Sequence, residues 1–192
     1  MSTPASDERL AAAFAAVRRA DFLPRDERRR AAEDRPLFIG HGATNSQPTT
    51  VENMLTLLDP VPGDRVLDVG SGSGWTTALL ASLVTNQGRV YGVELVPALV
   101  EWGRHNLAGY GFSRASIDQA DAERLGLPAH APYDKILVSA EARELPEALV
   151  DQLALGGRMV IPVRGRLSVV ERSDDGEVHE RRVGHYSFVP LR

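Results

Sequence analysis

The sequence predicts an α/β fold built on a doubly wound, mostly parallel sheet, and three observations carry that prediction. Apolar runs of strand length alternate with segments of helical spacing from residue 65 onward. The first run, Arg65-Val66-Leu67-Asp68-Val69, stops at alternating glycines, Gly70, Gly72 and Gly74, and passes into a pattern through Leu79, Leu80 and Leu83 that reads as a helix. The chain finishes on two strand-like runs, 167–172 and 177–183, around Asp174-Asp175-Gly176, a hairpin that gives the sheet an antiparallel edge.

With 192 residues, the chain is expected to form one domain, residues 1–60 being an N-terminal helical cover over a core of residues 61–192. A 43% hydrophobic and 25% charged composition is that of a soluble globular protein, and a net charge of −4 does not suggest a nucleic-acid surface. The absence of cysteine removes disulfides, thiolate metal sites and cysteine nucleophiles. His41, His105, His130, His179 and His185 lack metal-ligand spacing, so no metal is expected. The short, Ala-rich run at 10–17 reads neither as a signal peptide nor as a membrane span, which makes the cytoplasm the expected location. Oligomeric state is not encoded in any pattern here.

Taken in order, residues 7–20 read as a helix with Leu10, Phe14 and Val17 on one face and Ser6 as its N-cap. Residues 21–36 mix acids and arginines, which predicts a solvated, salt-bridged surface, with substrate docking by Arg28 to Arg30 as the lesser alternative. After an apolar, Gly-rich stretch at 37–42, the small polar loop 43–50 opens a second helix. Thr49 and Glu52 have capping-box spacing there, and Met54, Leu55, Leu57 and Leu58 supply the buried face. Ser46 in that loop suits either ligand binding or plain capping. Residues 59–64 turn into the first core strand, 65–69. Further strands are expected at 89–94, 115–119, 133–140 and 158–163, with helices at 97–108 and 146–153, the last ending at Gly156-Gly157.

In a sheet of this kind ligands bind at the carboxyl ends of the strands, where the glycine turn, Glu94 and Asp121 all fall. A dinucleotide fingerprint needs a small residue at the position occupied by Trp75 or, in the other register, Thr77, and neither fits. The G-x-G-x-G form instead matches the loop of S-adenosylmethionine-dependent methyltransferases. Glu94 stands 20 residues beyond Gly74, where a carboxylate can accept from both ribose hydroxyls. Asp121, after the third core strand, can accept from an adenine amino group.

With these residues in place the chain resembles the protein-L-isoaspartate O-methyltransferases from about Phe22 to Leu191. The matching segments are F-L-P, D-R-P-L-F-I-G-H-G-A-T-N-S-Q-P, V-L-D-V-G-S-G-S-G-W, A-P-Y-D, G-G-R-M-V-I-P-V and F-V-P-L, in that order. T-x-S-Q-P is the specific one. The resemblance implies a class I, Rossmann-like methyltransferase fold, S-adenosylmethionine as cofactor, a protein or peptide carrying isoaspartate as partner, and Ser46 as the catalytic residue. The cofactor site it implies comprises Thr44, Asn45, Asp68, Gly70, Ser71, Gly72, Gly74, Glu94, Leu95, Asp121 and Ala122. The methyl ester of isoaspartate would then close to a succinimide, beginning repair.

Family members usually carry an aliphatic residue at Asn45, glycine at Ala122, commonly tyrosine at Trp75, and small residues then proline where this chain has Ser139-Ala140-Glu141-Ala142-Arg143. The last change places Glu141 and Arg143 near the expected substrate mouth, where a carboxylate would repel an anionic substrate and a guanidinium would clamp one. Two other functions use the same residues: methylation of another peptide carboxylate or small molecule, favoured by Glu141 and Arg143, and silent cofactor binding. Because a carboxylate is already ionised near neutral pH, Ser46 is expected to orient it by hydrogen bonding and not to act as a nucleophile.

Overall fold

A computed structural model of the chain describes residues 4–192. Helix α1 (Pro4–Ala16) turns Leu10 and Ala13 into the core, and Val17, directly after it, is buried with them. Ser6 lies inside this helix instead of capping it, and its hydroxyl donates to Asp59 Oδ1 at 3.1 Å. The helix stops short of residue 20 because Arg18 is extended, its N–H taken by the Tyr110 hydroxyl at 3.0 Å; a 3-10 turn, Arg19–Phe22, follows. The arginine-rich stretch is a solvated network, with Arg30 bridging Glu27 and Glu33 at 2.9 and 3.1 Å.

Where the sequence suggested a loop, β1 (Leu37–Gly40) and β2 (Ala43–Asn45) form an antiparallel hairpin. Leu37 and Ile39 are buried and Phe38 is exposed, the alternation of a half-covered strand. Helix α2 (Pro48–Leu58) buries Val51, Met54, Leu55 and Leu58, with Leu57 at the edge of the cluster. The expected Thr49–Glu52 capping box does not form. Asp34, fifteen residues upstream of Thr49, takes its place by accepting from Thr49 N at 2.9 Å, Thr49 Oγ1 at 2.8 Å and Gln47 Nε2 at 2.9 Å.

The core follows as β3 (Arg65–Val69), α3 (Trp75–Val84), β4 (Arg89–Glu94), α4 (Pro97–Ala108), β5 (Ala115–Gln119), β6 (Tyr133–Val138), α5 (Glu147–Val150), β7 (Leu153–Val163), β8 (Arg166–Arg172) and β9 (Val178–Val183). The seven strands are ordered β5-β4-β3-β6-β7-β8-β9, parallel through β7 and antiparallel beyond it. From β3 the chain moves first to one side and later to the other, which opens a crevice at the carboxyl end of β3. One sheet face packs against α1 to α4, and the other against Leu149 of α5 and apolar residues of the connection 120–132. The edge strand β9 is exposed and carries Glu180, Arg181 and Arg182, a charged edge that resists pairing with another chain.

Two expected boundaries are corrected. The helix foreseen at 146–153 is one turn, because β7 begins at Leu153. Gly156 and Gly157 do not end a helix but form a bulge in β7, where the register against β6 slips between Tyr133–Leu153 and Lys135–Arg158. A Cβ on Gly157 would lie 2.8 Å from the Ala154 carbonyl oxygen, so the bulge requires glycine.

The backbone N–H of Thr49, with the Gln47 amide and the Thr49 hydroxyl, holds the Asp34 carboxyl below its ordinary value of 3.8. A group depressed in this way stabilises the fold above that ordinary value, and the contribution is lost as pH falls through the folded one. Asp34→Ala should therefore melt below wild type at pH 7, and the two curves should converge as pH falls below 3.8 and the folded-state carboxylate takes up its proton. A gap independent of pH would show that the carboxylate is not the cap.

Candidate active site

The turn between β3 and α3 is fixed from three sides. Gly70 N and Ser71 N donate to the Val93 carbonyl at 2.9 and 3.1 Å, and Asn106 Nδ2 of α4 donates to the Ser73 carbonyl at 2.9 Å. Glu94, ending β4, accepts from Gly72 N at 2.9 Å through one carboxylate oxygen and from Val96 N at 2.9 Å through the other. Gly72 and Gly74 have φ of +54° and +91°, and a Cβ on Gly74 would lie 3.0 Å from Ile117 Cδ1 and 3.2 Å from the Gly103 carbonyl oxygen. Conformation and close packing thus both demand glycine.

Above this turn lies a cleft of about 470 Å³. Its lining includes ten of the residues expected at the site: Thr44, Asn45, Ser46, Gly70, Ser71, Gly72, Glu94, Leu95, Asp121 and Ala122. Asp68 and Gly74, also expected there, lie behind it. Asp68 is fully buried on the α3 side of β3, where one oxygen accepts from Thr76 Oγ1 and Thr77 Oγ1, each at 2.7 Å. Gly74 faces α4 as the N-cap of α3. Asp121 is exposed and accepts from Glu123 N at 2.9 Å.

Glu141 and Arg143, expected at the substrate mouth, are not part of the lining. The backbone of Glu141 is paired with the last segment of the chain, its N–H donating to the Val189 carbonyl and its carbonyl accepting from Leu191 N, both at 2.8 Å. That pairing leaves Ser139 and Ala140 on the cleft, joined by residues 189–192, while Arg143 is exposed outside it. The F-V-P-L match was the sign in the sequence that pointed to this closing segment.

Nothing in the sequence pattern marks Arg19, yet it is 6% exposed and holds the cleft wall. Its Nε donates to Asn45 Oδ1 at 2.8 Å, and its Nη2 to the carbonyls of Asn45 at 3.1 Å, Ser46 at 2.9 Å and Arg35 at 2.7 Å. Its Nη1 donates to the carbonyls of Ala31 and Glu33 at 3.2 and 2.9 Å. Burial lowers its pKa to about 10, against the opposing charges of Asp34 and Glu33. The guanidinium also sits 5.5 Å from the centre of the Trp75 ring, whose indole N–H donates to the Val17 carbonyl at 3.3 Å and whose edge meets Phe14. Trp75 thus ties the start of α3 to the residues at the end of α1 and to Arg19.

The cleft offers a backbone-lined turn, a carboxylate ending β4, an acid beyond β5 and apolar walls from Ile39, Val69 and Trp75. That donor set fits an amino acid joined to a nucleoside and gives no cradle for a pyrophosphate. Fold and cleft together define a class I methyltransferase that uses S-adenosylmethionine. The family model for protein-L-isoaspartate(D-aspartate) O-methyltransferases matches residues 3–192. A protein-L-isoaspartate O-methyltransferase of Aeropyrum pernix is 50% identical over 191 residues, covering 97% of this chain and 73% of that one. One from Methanopyrus kandleri is 47% identical, with coverage of 95% and 83%. Among solved structures, a Plasmodium falciparum chain described as a protein-L-isoaspartate O-methyltransferase, in complex with S-adenosyl-L-homocysteine, superposes with a TM-score of 0.82 at 27% identity, covering 97% of this chain and 91% of its own. The chain belongs to the protein-L-isoaspartate(D-aspartate) O-methyltransferase family.

Among the described residues no helix is long and apolar enough to cross a membrane, and no cluster of three or more His, Cys, Asp or Glu could hold a metal.

Burial raises the Asp68 carboxyl from 3.8 to about 6, against the hydrogen bonds from Thr77 and Thr76. The folded state then keeps a proton that the unfolded chain releases across that interval, so this group's contribution to stability falls as pH rises from about 4 to 6. Asp68→Asn, which cannot ionise, should remove that part of the slope of melting temperature against pH. Identical slopes in both proteins would assign the titration to another group.

Proposed function

We propose that this enzyme methylates the free carboxylate of L-isoaspartyl residues in peptides and proteins, with Ser46 at that carboxylate, Glu94 at the cofactor ribose and Asp121 at the adenine amino group. The observation that carries the reading is the meeting of Thr44, Asn45 and Ser46 of the T-x-S-Q-P segment, the glycine turn and Glu94 around one cleft, in a chain that belongs to this family. An isoaspartyl residue runs its backbone through the side chain and so presents a carboxylate where an ordinary peptide has an amide.

S-adenosylmethionine supplies an electrophilic methyl on a sulfonium, so the new O–C bond forms as the C–S pair returns to sulfur. The chain's own residues have to align the acceptor. The Ser46 carbonyl is held by Arg19, while its hydroxyl has no protein hydrogen-bond partner among the described residues. That hydroxyl can donate to one carboxylate oxygen and leave the other to attack. No general base is needed, since a carboxylate is ionised at neutral pH. Alignment to roughly 3–3.5 Å between reacting atoms is the main contribution asked of the site. Glu94 can accept ribose hydroxyls through its remaining lone pairs while it keeps Gly72 in place.

Matched peptides containing isoaspartate or aspartate test the substrate: methyl transfer to the first and not the second is expected, and equal labelling of both would overturn the assignment. Ser46→Ala should reduce turnover on the isoaspartyl peptide far more than it weakens cofactor binding. Were Ser46 a turn residue only, melting temperature would drop with turnover per folded molecule intact.

Glu94→Ala removes charge-assisted hydrogen bonds worth about 1.5–3 kcal/mol, so calorimetry should find cofactor affinity reduced roughly ten- to a hundredfold. Unchanged affinity in a folded variant would exclude Glu94 from the cofactor site.

A further inference from the structure

We propose that Arg19 is a positioning residue for methyl transfer, setting the direction of the Ser46 side chain relative to the glycine turn; the inference rests on the reading of Ser46 as the residue at the substrate carboxylate. The hydrogen bonds of Arg19 run to two regions, with Nη2 donating to both. One is the cover, at the carbonyls of Ala31, Glu33 and Arg35, and the other is β2 and Ser46, at Asn45 Oδ1 and the carbonyls of Asn45 and Ser46. Because each peptide unit is planar, fixing two consecutive carbonyl oxygens fixes the two planes that flank the Ser46 α-carbon and hence the direction of its Cβ. Asn45 extends the link, its Nδ2 lying 3.4 Å from Ser73 Oγ in the glycine turn, and the Arg19 guanidinium lies against Trp75 directly after that turn.

Among the described residues no carboxylate forms an ion pair with Arg19, so the buried charge is balanced by oxygen acceptors arranged around a planar fork, a pattern that the compact ammonium of lysine cannot reproduce. Arg19→Lys keeps the charge and loses the geometry.

The test is a double-mutant cycle of Arg19→Lys and Ser46→Ala, reading kcat on isoaspartyl peptide, cofactor affinity, melting temperature and amide hydrogen exchange. Arg19→Lys should lower kcat about tenfold, change cofactor affinity less than about threefold and speed exchange in residues 43–47 with β3 to β5 unaffected. In the Ser46→Ala background the same substitution should cost less than about twofold in kcat. Losses that multiply, or exchange unchanged in residues 43–47, would overturn the proposal. If the wild-type enzyme fails to methylate isoaspartyl peptide, the substrate assignment falls, while exchange in residues 43–47 still tests whether Arg19 holds the Ser46 segment. If Arg19→Lys does not fold, Asn45→Val takes its place: a kcat loss seen only where Ser46 is present supports the proposal, and an equal loss in both backgrounds overturns it.

Discussion

A guanidinium removed from water must be surrounded by acceptors, and in this protein that requirement organises the N-terminal third of the chain. Arg19 is buried and faces oxygen atoms from residues 31, 33, 35, 45 and 46, which are separate stretches of sequence. None of those stretches has an apolar core of its own large enough to fold alone. The cation joins a short 3-10 turn, an arginine-rich loop and a two-stranded hairpin, which also share an apolar cluster of Leu23, Leu37, Ile39 and Leu99. Removing a buried charge's partners is costly, so each acceptor is held as firmly as the cation itself.

The N-terminal cover is joined to the cofactor side through Trp75. In a dinucleotide-binding turn the corresponding position must be small so that helix and strand approach. Here the large indole points away from the sheet toward α1, where Val17 and Phe14 receive it, and its face lies beneath Arg19. The glycine turn can stay tight because Glu94 and Asn106 hold its backbone from β4 and α4. Trp75 thus departs from the dinucleotide pattern and at the same time packs against the Arg19 guanidinium.

Two departures from the family pattern acquire different meanings in three dimensions. Asn45 stands where an aliphatic residue is usual, and its amide carries a hydrogen bond from Arg19 that an aliphatic side chain could not accept. Glu141 and Arg143 looked like substrate determinants because they follow β6, the strand beside the cleft. The closing segment pairs with Glu141 and takes that place, and it brings Arg192 into the lining.

The sequence by itself determined the parallel core, because β3, β4 and β6 are short apolar runs with local signals beside them: glycines at 70, 72 and 74, prolines at N-terminal helix positions, and Glu94 where β4 finishes. Those signals act within a few residues and are legible one segment at a time. The placement of Glu94 and Asp121 beside the glycine turn follows from the same regularity, since successive parallel strands all present their carboxyl ends on one side, whereas Ser46 reaches the cleft from the separate β1–β2 hairpin. What tertiary structure alone decided are the features built from distant partners: the capping of α2 by Asp34, the bulge in β7 set by its register against β6, the β1–β2 hairpin, the displacement of Glu141 by the closing segment, and the clamp at Arg19. Each satisfies buried backbone or charged groups with atoms far away in sequence, and no periodicity within a segment records which distant atom will meet that need.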